Sequence, residues 1–562
     1  MILKKTVRTG NICFSSAIIS CLIFFNGCTY VEKIKELNES PSIMEVPGET
    51  IHQIDVIELK KSTEPDTETV SPEMQEPELA EYTISLEECR ALTLENNLDL
   101  RVQLINPSIA RESVNQEEAR FEATFNGTIS YANSNTPTAS TLDISGSAVE
   151  GSYIDLGVDI PLRTGGTITF DMVDRGTKSD SIFSVFNPSY ENDFSASISQ
   201  PLLRNAGRRA STNSIRVAQY NSSITDVRTK LEAIRIIANV DRAYWRLYAS
   251  RKLLDVRRQQ YELSKTLFEQ TERFVEVGVK PKIEIIRTKS SMAEKLEAII
   301  TAENDVRNTE RDLKRMLNKK GLGMETKTII IPSSPPDPIR YEIDRKSMIE
   351  HALENRMEML ELELQLAMDN SNIDYYRNQT LPLFTLEYKY NINGLGPERS
   401  DSYDLLFNDD YHDHRFSLAM KIPIGNREAK SRFRKAVYER AQRLATKESK
   451  KAEIKSEVLN QIDKLEANWQ RILASRQTSI LQDEQYRAEK RQFELGLVSS
   501  TDVLDAQTNL AEAQRAEIAA VTEYQIALID LAYATGTLLG AAKVEWAPIV
   551  PMDYTSVENS VN

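Results

Sequence analysis

Apolar residues in two long stretches of this chain recur at every third or fourth position. Within residues 208 to 277, Ile224, Val227, Leu231, Ile234 and Ala238 step by 3, 4, 3 and 4. Within residues 427 to 495, Ile454, Val458, Ile462, Leu465, Trp469 and Ile472 step by 4, 4, 3, 4 and 3. That mean spacing is the narrow seam of a coiled coil, not the broad stripe of a globular helix. Neither stretch contains Gly or Pro, so runs of 70 and 69 residues continue unbroken. At roughly 1.5 Å per residue each makes a helix of about 100 Å. Two further clean runs follow, 282 to 320 and 497 to 535, each 39 residues long. Globular helices average about 11–12 residues, so an ordinary enzyme domain explains these runs poorly.

Other segments alternate with period two. Phe384, Leu386, Tyr388, Tyr390 and Ile392 interleave with Thr385, Glu387, Lys389 and Asn391, and Phe416, Leu418, Met420 and Ile422 with Ser417, Ala419 and Lys421. Phe125, Ile129 and Tyr131 interleave with Asn126, Thr128 and Ser130, and Phe194, Ala196 and Ile198 with Ser195, Ser197 and Ser199. Four strands of about nine residues, apolar on one face and polar on the other, suit a membrane β-barrel. A half-buried soluble sheet gives the same alternation; the flanking 100 Å helices and the export signal described below favour the barrel. Four strands cannot close alone, and open edges cannot sit in lipid. Several copies must share the barrel, and three would supply twelve strands.

The chain is also a tandem repeat, a feature to be found before any fold is named. Leu94-Glu95-Asn96-Asn97-Leu98-Asp99 matches Leu353-Glu354-Asn355-Arg356-Met357-Glu358 at an offset of 259, as do Phe125 with Phe384 and Tyr131 with Tyr390. Glu276-Val277-Gly278-Val279 matches Glu494-Leu495-Gly496-Leu497 at an offset of 218, and Glu284-Ile285-Ile286 matches Asp502-Val503-Leu504. The first repeat is therefore about 41 residues longer, the surplus falling between Tyr131 and the long helix, where a loop tolerates insertion. Gly278 and Gly496 suit the left-handed residue that ends a helix. Pro281 suits the first turn of the helix after it, and Ser499 with Asp502 has capping-box spacing.

Charge and the N-terminus refine this picture. The formal net charge of −15 argues against nucleic acid, which demands clustered Lys and Arg. Much of it lies in residues 29 to 82, with 14 Asp or Glu, four Lys and five Pro, the composition of a tether. Ahead of it, Lys4, Lys5 and Arg8 precede an apolar run from Ile12 to Phe25, the layout of an export signal and too short to span comfortably. Phe25-Asn26-Gly27-Cys28 resembles a bacterial lipobox, which implies that Cys28 is lipidated, and Thr29 rather than Asp after it implies, by resemblance to enteric lipoproteins, delivery to the outer membrane. Cys13 and Cys21 leave with the signal, so Cys89 remains without a disulfide partner. Placed between Leu86 and Leu92, it reads as a buried small hydrophobe.

Two repeats of helix, strand pair, very long helix, glycine tip and shorter helix resemble the TolC-like outer-membrane efflux protein family over roughly residues 83 to 541. The most specific stretch is Phe493-Glu494-Leu495-Gly496-Leu497-Val498-Ser499-Ser500-Thr501-Asp502-Val503-Leu504-Asp505, similar to the family's second periplasmic tip. Gln200-Pro201-Leu202-Leu203-Arg204 resembles a strand-to-helix junction of one branch. The resemblance implies a homotrimeric conduit spanning the outer membrane, a twelve-stranded β-barrel continued by a periplasmic α-barrel. It further implies docking of the tips to a periplasmic adaptor protein and, through it, to an inner-membrane pump, in efflux or type I secretion. The organisation is then a signal peptide (1–27), an acidic tether (28–82), repeat one (83–320), a linker (321–344), repeat two (345–541) and a C-terminal tail (542–562). Strands are expected at about 124–200 and 383–423.

By the same resemblance Asp502 and Asp505, three apart on one helix face, ring the periplasmic aperture, where carboxylates attract cations. Gly278, Val279, Glu284, Gly496, Leu497 and Val498 form the tips offered to the adaptor. The family's clamp uses a Tyr and an Arg where Phe493 and Val498 stand, which removes a hydroxyl and a charge. Glu284, in repeat register with Asp502, is then an acidic clamp partner without its cation. No catalytic residue, cofactor or metal is expected: of the four His, only His412 and His414 are close together, in an Asp-rich loop, and no phosphate loop or nucleophile elbow occurs. The competing reading is a structural coiled-coil envelope lipoprotein without transport, which has no use for strands with one apolar and one polar face.

If Cys28 is acylated, intact-mass analysis of the mature protein will show a lipid-bearing N-terminal cysteine. Cys28→Ser should abolish that mass increment and still permit barrel insertion, since the strands carry their own apolar surface. An unmodified wild-type N-terminus would refute the lipobox.

Overall fold

The computed structural model describes residues 81–545, apart from 136, 138–147 and 182–183. Cys28, the signal and nearly all of the tether and tail lie outside the described residues. A short strand β1 (Glu81–Ile84) leads into helices α1 (Leu86–Asn96) and α2 (Leu98–Glu118), then strands β2 (Thr124–Asn135), β3 (Ala148–Pro161), β4 (Thr167–Ser179) and β5 (Ser189–Pro201). A single turn α3 (Arg208–Ser211) precedes the 64-residue α4 (Asn213–Glu276) and α5 (Ile283–Leu317). Strand β6 (Ile329–Pro332) opens the second half, followed by α6 (Arg345–Asn355), α7 (Met357–Gln379), β7 (Leu383–Gly396), α8 (Arg399–Phe407) and β8 (His412–Lys421). The 68-residue α9 (Arg427–Glu494), α10 (Ser500–Ala534) and the short α11 (Leu538–Ala541) complete the chain.

The breaker-free runs are the helices. Three of the four end where a glycine takes a left-handed backbone, Gly278 at φ 82°, Gly496 at φ 79° and Gly536 at φ 72°, and α5 ends at Asn318, left-handed at φ 43°. At all three the two amides after the helix bond back into its last turn, as Val279 N–H does to the Phe274 carbonyl and Leu497 N–H to that of Gln492. This motif satisfies carbonyls that would otherwise be orphaned. The seam residues Ile454, Val458, Ile462 and Leu465 are buried between α9, α6, α7 and α10. Ile234, Ile237, Ala238 and Tyr244 do the same for α4 against α1 and α5. Each buried Ile, Val or Leu among them contributes about 1.5–3 kcal/mol by leaving water. Cys89 is fully buried in that second cluster, and burial pushes its thiol well up. The linker expected at 321–344 is not featureless, since β6 pairs in parallel with β1 from Glu81↔Ile329 to Ile84↔Pro332.

The sheet corrects the strand count. Six strands, not four, form one antiparallel sheet in the order β2-β3-β4-β5-β7-β8. The surplus of repeat one is no loop but the hairpin β3–β4, inserted between β2 and β5. Three copies would bring eighteen strands rather than twelve. His412 and His414 also belong to a strand, β8, beside Tyr388 and Tyr390, and among the described residues no cluster is arranged to hold a metal. One sheet face carries Phe125, Ile129, Leu156, Val158, Phe170, Met172, Phe194, Ile198, Leu386, Phe416 and Leu418, in register across all six strands. Most of this face is uncovered: Ile129 is 79% exposed and Phe416 76%. A soluble sheet buries such a face. At its far end α8 crosses it closely, and a Cβ at Gly394 would strike the Ser402 carbonyl at 2.2 Å.

Four helices stand abreast in each half of the shaft. Nearest the sheet the order is α2–α4–α7–α9, and towards the glycine tips it is α5–α4–α10–α9. The outer helices carry unpartnered seams. Leu98, Val102, Ile105 and Ile109 of α2 are exposed at spacings of 4, 3 and 4. So are Val437, Ala441 and Leu444 of α9, at 4 and 3. Ala293, Leu296 and Ile300 of α5, and Leu473 and Ile480 of α9, repeat the pattern nearer the tips. Among the described residues, no helix is long and apolar enough to cross a membrane.

Inside the shaft, Arg90 of α1 donates two bonds, at 2.9 and 2.8 Å, to the Asp241 carboxylate of α4, whose side chain is fully buried. Burial pushes that carboxyl up and Arg90 draws it back down. Removing one partner of a buried pair strands the other charge. Arg90→Met should therefore destabilise the helical shaft by about 3–5 kcal/mol, read as a lower urea midpoint of the helical circular-dichroism signal. Adding Asp241→Leu should recover most of the loss.

Candidate functional site

The two glycine turns lie side by side at one end of the shaft. Their interior is Leu267, Tyr486, Phe493, Val503, Ala506 and Leu510, with Phe274 and Val498 packed against it. Phe274 and Phe493, which precede the two turns, meet at 5.7 Å between ring centroids. The turns themselves expose apolar residues to solvent: Val277 78%, Val279 60%, Leu495 74% and Leu497 72%. These residues cannot fold inward, because the glycine turn projects them beyond the last helical contact. Val498 is only half exposed.

Asp502 and Asp505 are both exposed, on the face of α10 opposite the buried Val503, Ala506 and Leu510. Ser499 and Asp502 form the capping box that their spacing predicted. The Ser499 N–H and hydroxyl both donate to the Asp502 carboxylate, at 2.8 and 2.7 Å. Those bonds, with Lys280 nearby, hold the Asp502 carboxyl below the usual carboxylate range. The sign follows: the cap is intact above that range and fails as pH falls through the lowered value. Pro281 sits two positions ahead of the first residue of α5, outside the first turn anticipated for it.

The clamp expected to lack a cation has two. Glu284 is buried rather than presented at the tip surface, and Arg287, one turn on, pairs with it at 2.9 Å. The Ser500 hydroxyl donates to the other Glu284 oxygen, joining α5 to α10. Lys280 serves the second tip. Its ammonium lies 5.2 Å from the centre of the Phe493 ring and donates to the Val498 carbonyl at 2.8 Å. Both positions that lost a polar side chain are thus met by one lysine from the opposite repeat, through the ring face and the backbone. Sequence reasoning missed Lys280, Arg287 and Ser500. The available signal was the 218-residue offset itself, which makes Val498 the repeat mate of Lys280.

Buried polar residues are interspersed with this apolar interior. Gln260, Ser264 and Thr271 of α4, Thr288 of α5 and Gln507 of α10 are all buried. The Ser264 hydroxyl donates to the Gln507 side-chain carbonyl at 3.3 Å.

Residues 90–319 and 348–537, well over half of the chain, match the model of a family described as outer membrane efflux protein. The outer membrane protein TolC of Vibrio cholerae serotype O1 is 21% identical over 334 residues, covering 59% of this chain and 74% of that protein. The Campylobacter jejuni CmeC outer membrane channel is similar in structure, with TM-score 0.61 and 14% identity over 84% of this chain and 88% of that one. The Neisseria gonorrhoeae MtrE channel in its open state gives TM-score 0.55 and 16% identity, over 81% of this chain and 89% of the other. CusC gives 0.60 and 16%, over 80% and 92%. At these identities the structural likeness is one of fold.

Removing the Lys280 ammonium frees the Val498 carbonyl and uncovers the Phe493 ring. Lys280→Gln should speed amide hydrogen exchange in residues 495–500 several-fold, leaving the exchange of Ile454 to Leu465 unchanged. Equal exchange at the tips in both proteins would show that the lysine holds nothing.

Proposed function

We infer the working form of this protein from one premise: the chain belongs to the outer membrane efflux protein family. It is an outer-membrane efflux channel and not an enzyme, with a helical periplasmic portion below its strands. Its assembled form is a ring of three copies. The observation that carries this reading is the agreement of the two open edges. At one edge α2, with its exposed seam, runs into β2; at the other β8 runs into α9, with its own. Unpaired strand edges cannot face lipid, and exposed heptad seams call for partner helices. Head-to-tail packing meets both needs when the ring closes. A coiled-coil scaffold without a pore leaves the apolar sheet face unexplained.

The finer assignments rest on the sequence and on what the tips expose. Cys28 carries the lipid anchor and adds outer-membrane lipid to the contacts of the barrel. The glycine tips, with Val279, Leu497 and the flanking Gly278, Gly496 and Val498, dock a periplasmic adaptor, through which an inner-membrane pump delivers substrate. The exposed apolar turn residues support that role, since apolar surface of this kind marks interaction sites. Glu284 acts inside the tip, holding α5 to α10. Asp502 and Asp505, exposed and one turn apart, face the ring axis and set the potential at its narrowest point.

Planar-bilayer recording tests the aperture. Asp502→Asn with Asp505→Asn removes six carboxylates from a ring of three and should weaken block by hexammine cations and lower cation preference. Helix α10 should persist, with a weaker cap at Ser499. Unchanged block and selectivity would put both residues on the outer face and overturn the site assignment.

A further inference from the structure

We propose that the transmembrane wall of the assembled channel is an eighteen-stranded barrel, widened from twelve by the β3–β4 hairpin of each chain. This rests on the three-copy ring proposed above.

The hairpin is an integral part of the sheet. β3 pairs with β2 from Asn135↔Ala148 to Thr124↔Asp159, and β4 pairs with β5 from Thr167↔Ser199 to Thr177↔Ser189. Its facial pattern continues that of its neighbours. Ile154, Leu156, Val158 and Ile160 of β3 stand in line with Ile129 and Phe125 of β2 on one side. On the other side they align with Ile168, Phe170 and Met172 of β4, and these with Phe194 and Ile198 of β5. A hairpin folded away from the wall would leave this apolar face in water and break the β2–β3 and β4–β5 ladders.

Six strands also fit the width of the shaft. Each chain sets four helices abreast beneath its strands. At roughly 8–10 Å between axes they span about 32–40 Å of the ring. Strands about 4.8 Å apart, tilted about 40°, occupy roughly 6.3 Å of circumference each. Six therefore span about 38 Å, in keeping with the helices below them. The chain enters and leaves the sheet through those same helices, α2 into β2, β5 into α4, α7 into β7 and β8 into α9.

Polarity at the edges permits closure. β2 and β8 run in opposite directions, five antiparallel steps apart, so β8 of one copy meets β2 of the next in a regular antiparallel ladder. Barrel diameter grows roughly linearly with strand number. Eighteen strands give a wall about half as wide again as twelve, and a lumen of about twice the cross-section. The polar face of the hairpin adds Asp155, Asp159 and Asp171 to that lumen, against Arg175, so the added wall is acidic.

Electron cryomicroscopy of the full chain in lipid nanodiscs tests this by counting strands. Three copies around eighteen strands are expected. The companion variant deletes residues 148–179, which joins β2 to β5 at the rim where both already end and keeps the remaining strands antiparallel. It should still assemble as three copies. Polyethylene glycols added from the outer side should be excluded at a smaller size than in the wild type, with the barrel cross-section about twofold lower. Three copies around twelve strands, with the hairpin outside the wall, would overturn this inference and leave the channel reading standing. A complex without three copies would overturn the ring reading, and the eighteen-stranded wall with it.

Discussion

An unpaired strand edge cannot be left in hydrocarbon, and the rest of this molecule is arranged around that constraint. Each backbone N–H and C=O without a partner in lipid is penalised by several kcal/mol, so β2 and β8 are the least tolerable features of the isolated chain. Both edges continue into helices whose outer seams are also uncovered, α2 beside β2 and α9 beyond β8. Sheet and shaft therefore place the same demand on a neighbour. One rigid displacement satisfies both, and that makes a ring a natural assembly for such a chain.

The two repeats meet this demand with unequal means. The second supplies two strands, the first four, yet each supplies one long helix and one shorter return helix of 35 residues. The helical shaft keeps its pseudo-symmetry because an insertion would shift its heptad phase. The sheet absorbs a hairpin without penalty, since adding two strands restores both direction and facing. Divergence between the repeats is thus confined to the layer whose geometry allows whole units to be added.

Much of this was legible in the residues. Breaker-free runs and 3–4 spacing gave the four long helices to within a few positions, because a glycine turn ends three of them and left-handed Asn318 ends the fourth shortly before Gly321. Alternation found β2, β5, β7 and β8. It was equally present in Ile154, Leu156, Val158 and Ile160, but Gly151, Gly157 and Gly176 lie close by, and glycine within a strand weakens the signal. The lack of a counterpart in repeat two then made the hairpin read as a loop. The Ser499–Asp502 cap was legible because it is local. Lys280 was not, because its partners lie across the tips and include a backbone carbonyl, which carries no side-chain signature.

The buried polar contact beside the tips has a mechanical consequence. Where Ile234, Ile237, Ala238 and Tyr244 interlock, sliding one helix past another opens voids and forfeits dispersion contacts. Where Ser264 of α4 meets Gln507 of α10 through one hydroxyl–amide bond, displacement exchanges that bond for one to water at a net loss of about 1 kcal/mol. The shaft is accordingly held most firmly by its apolar seams, and the Ser264–Gln507 contact, set among Leu267, Ala506 and Leu510, is the softer joint beside the glycine turns. That joint lies at the far end of the long helices from the strands, so a shift of the tips can be taken up there without disturbing the sheet.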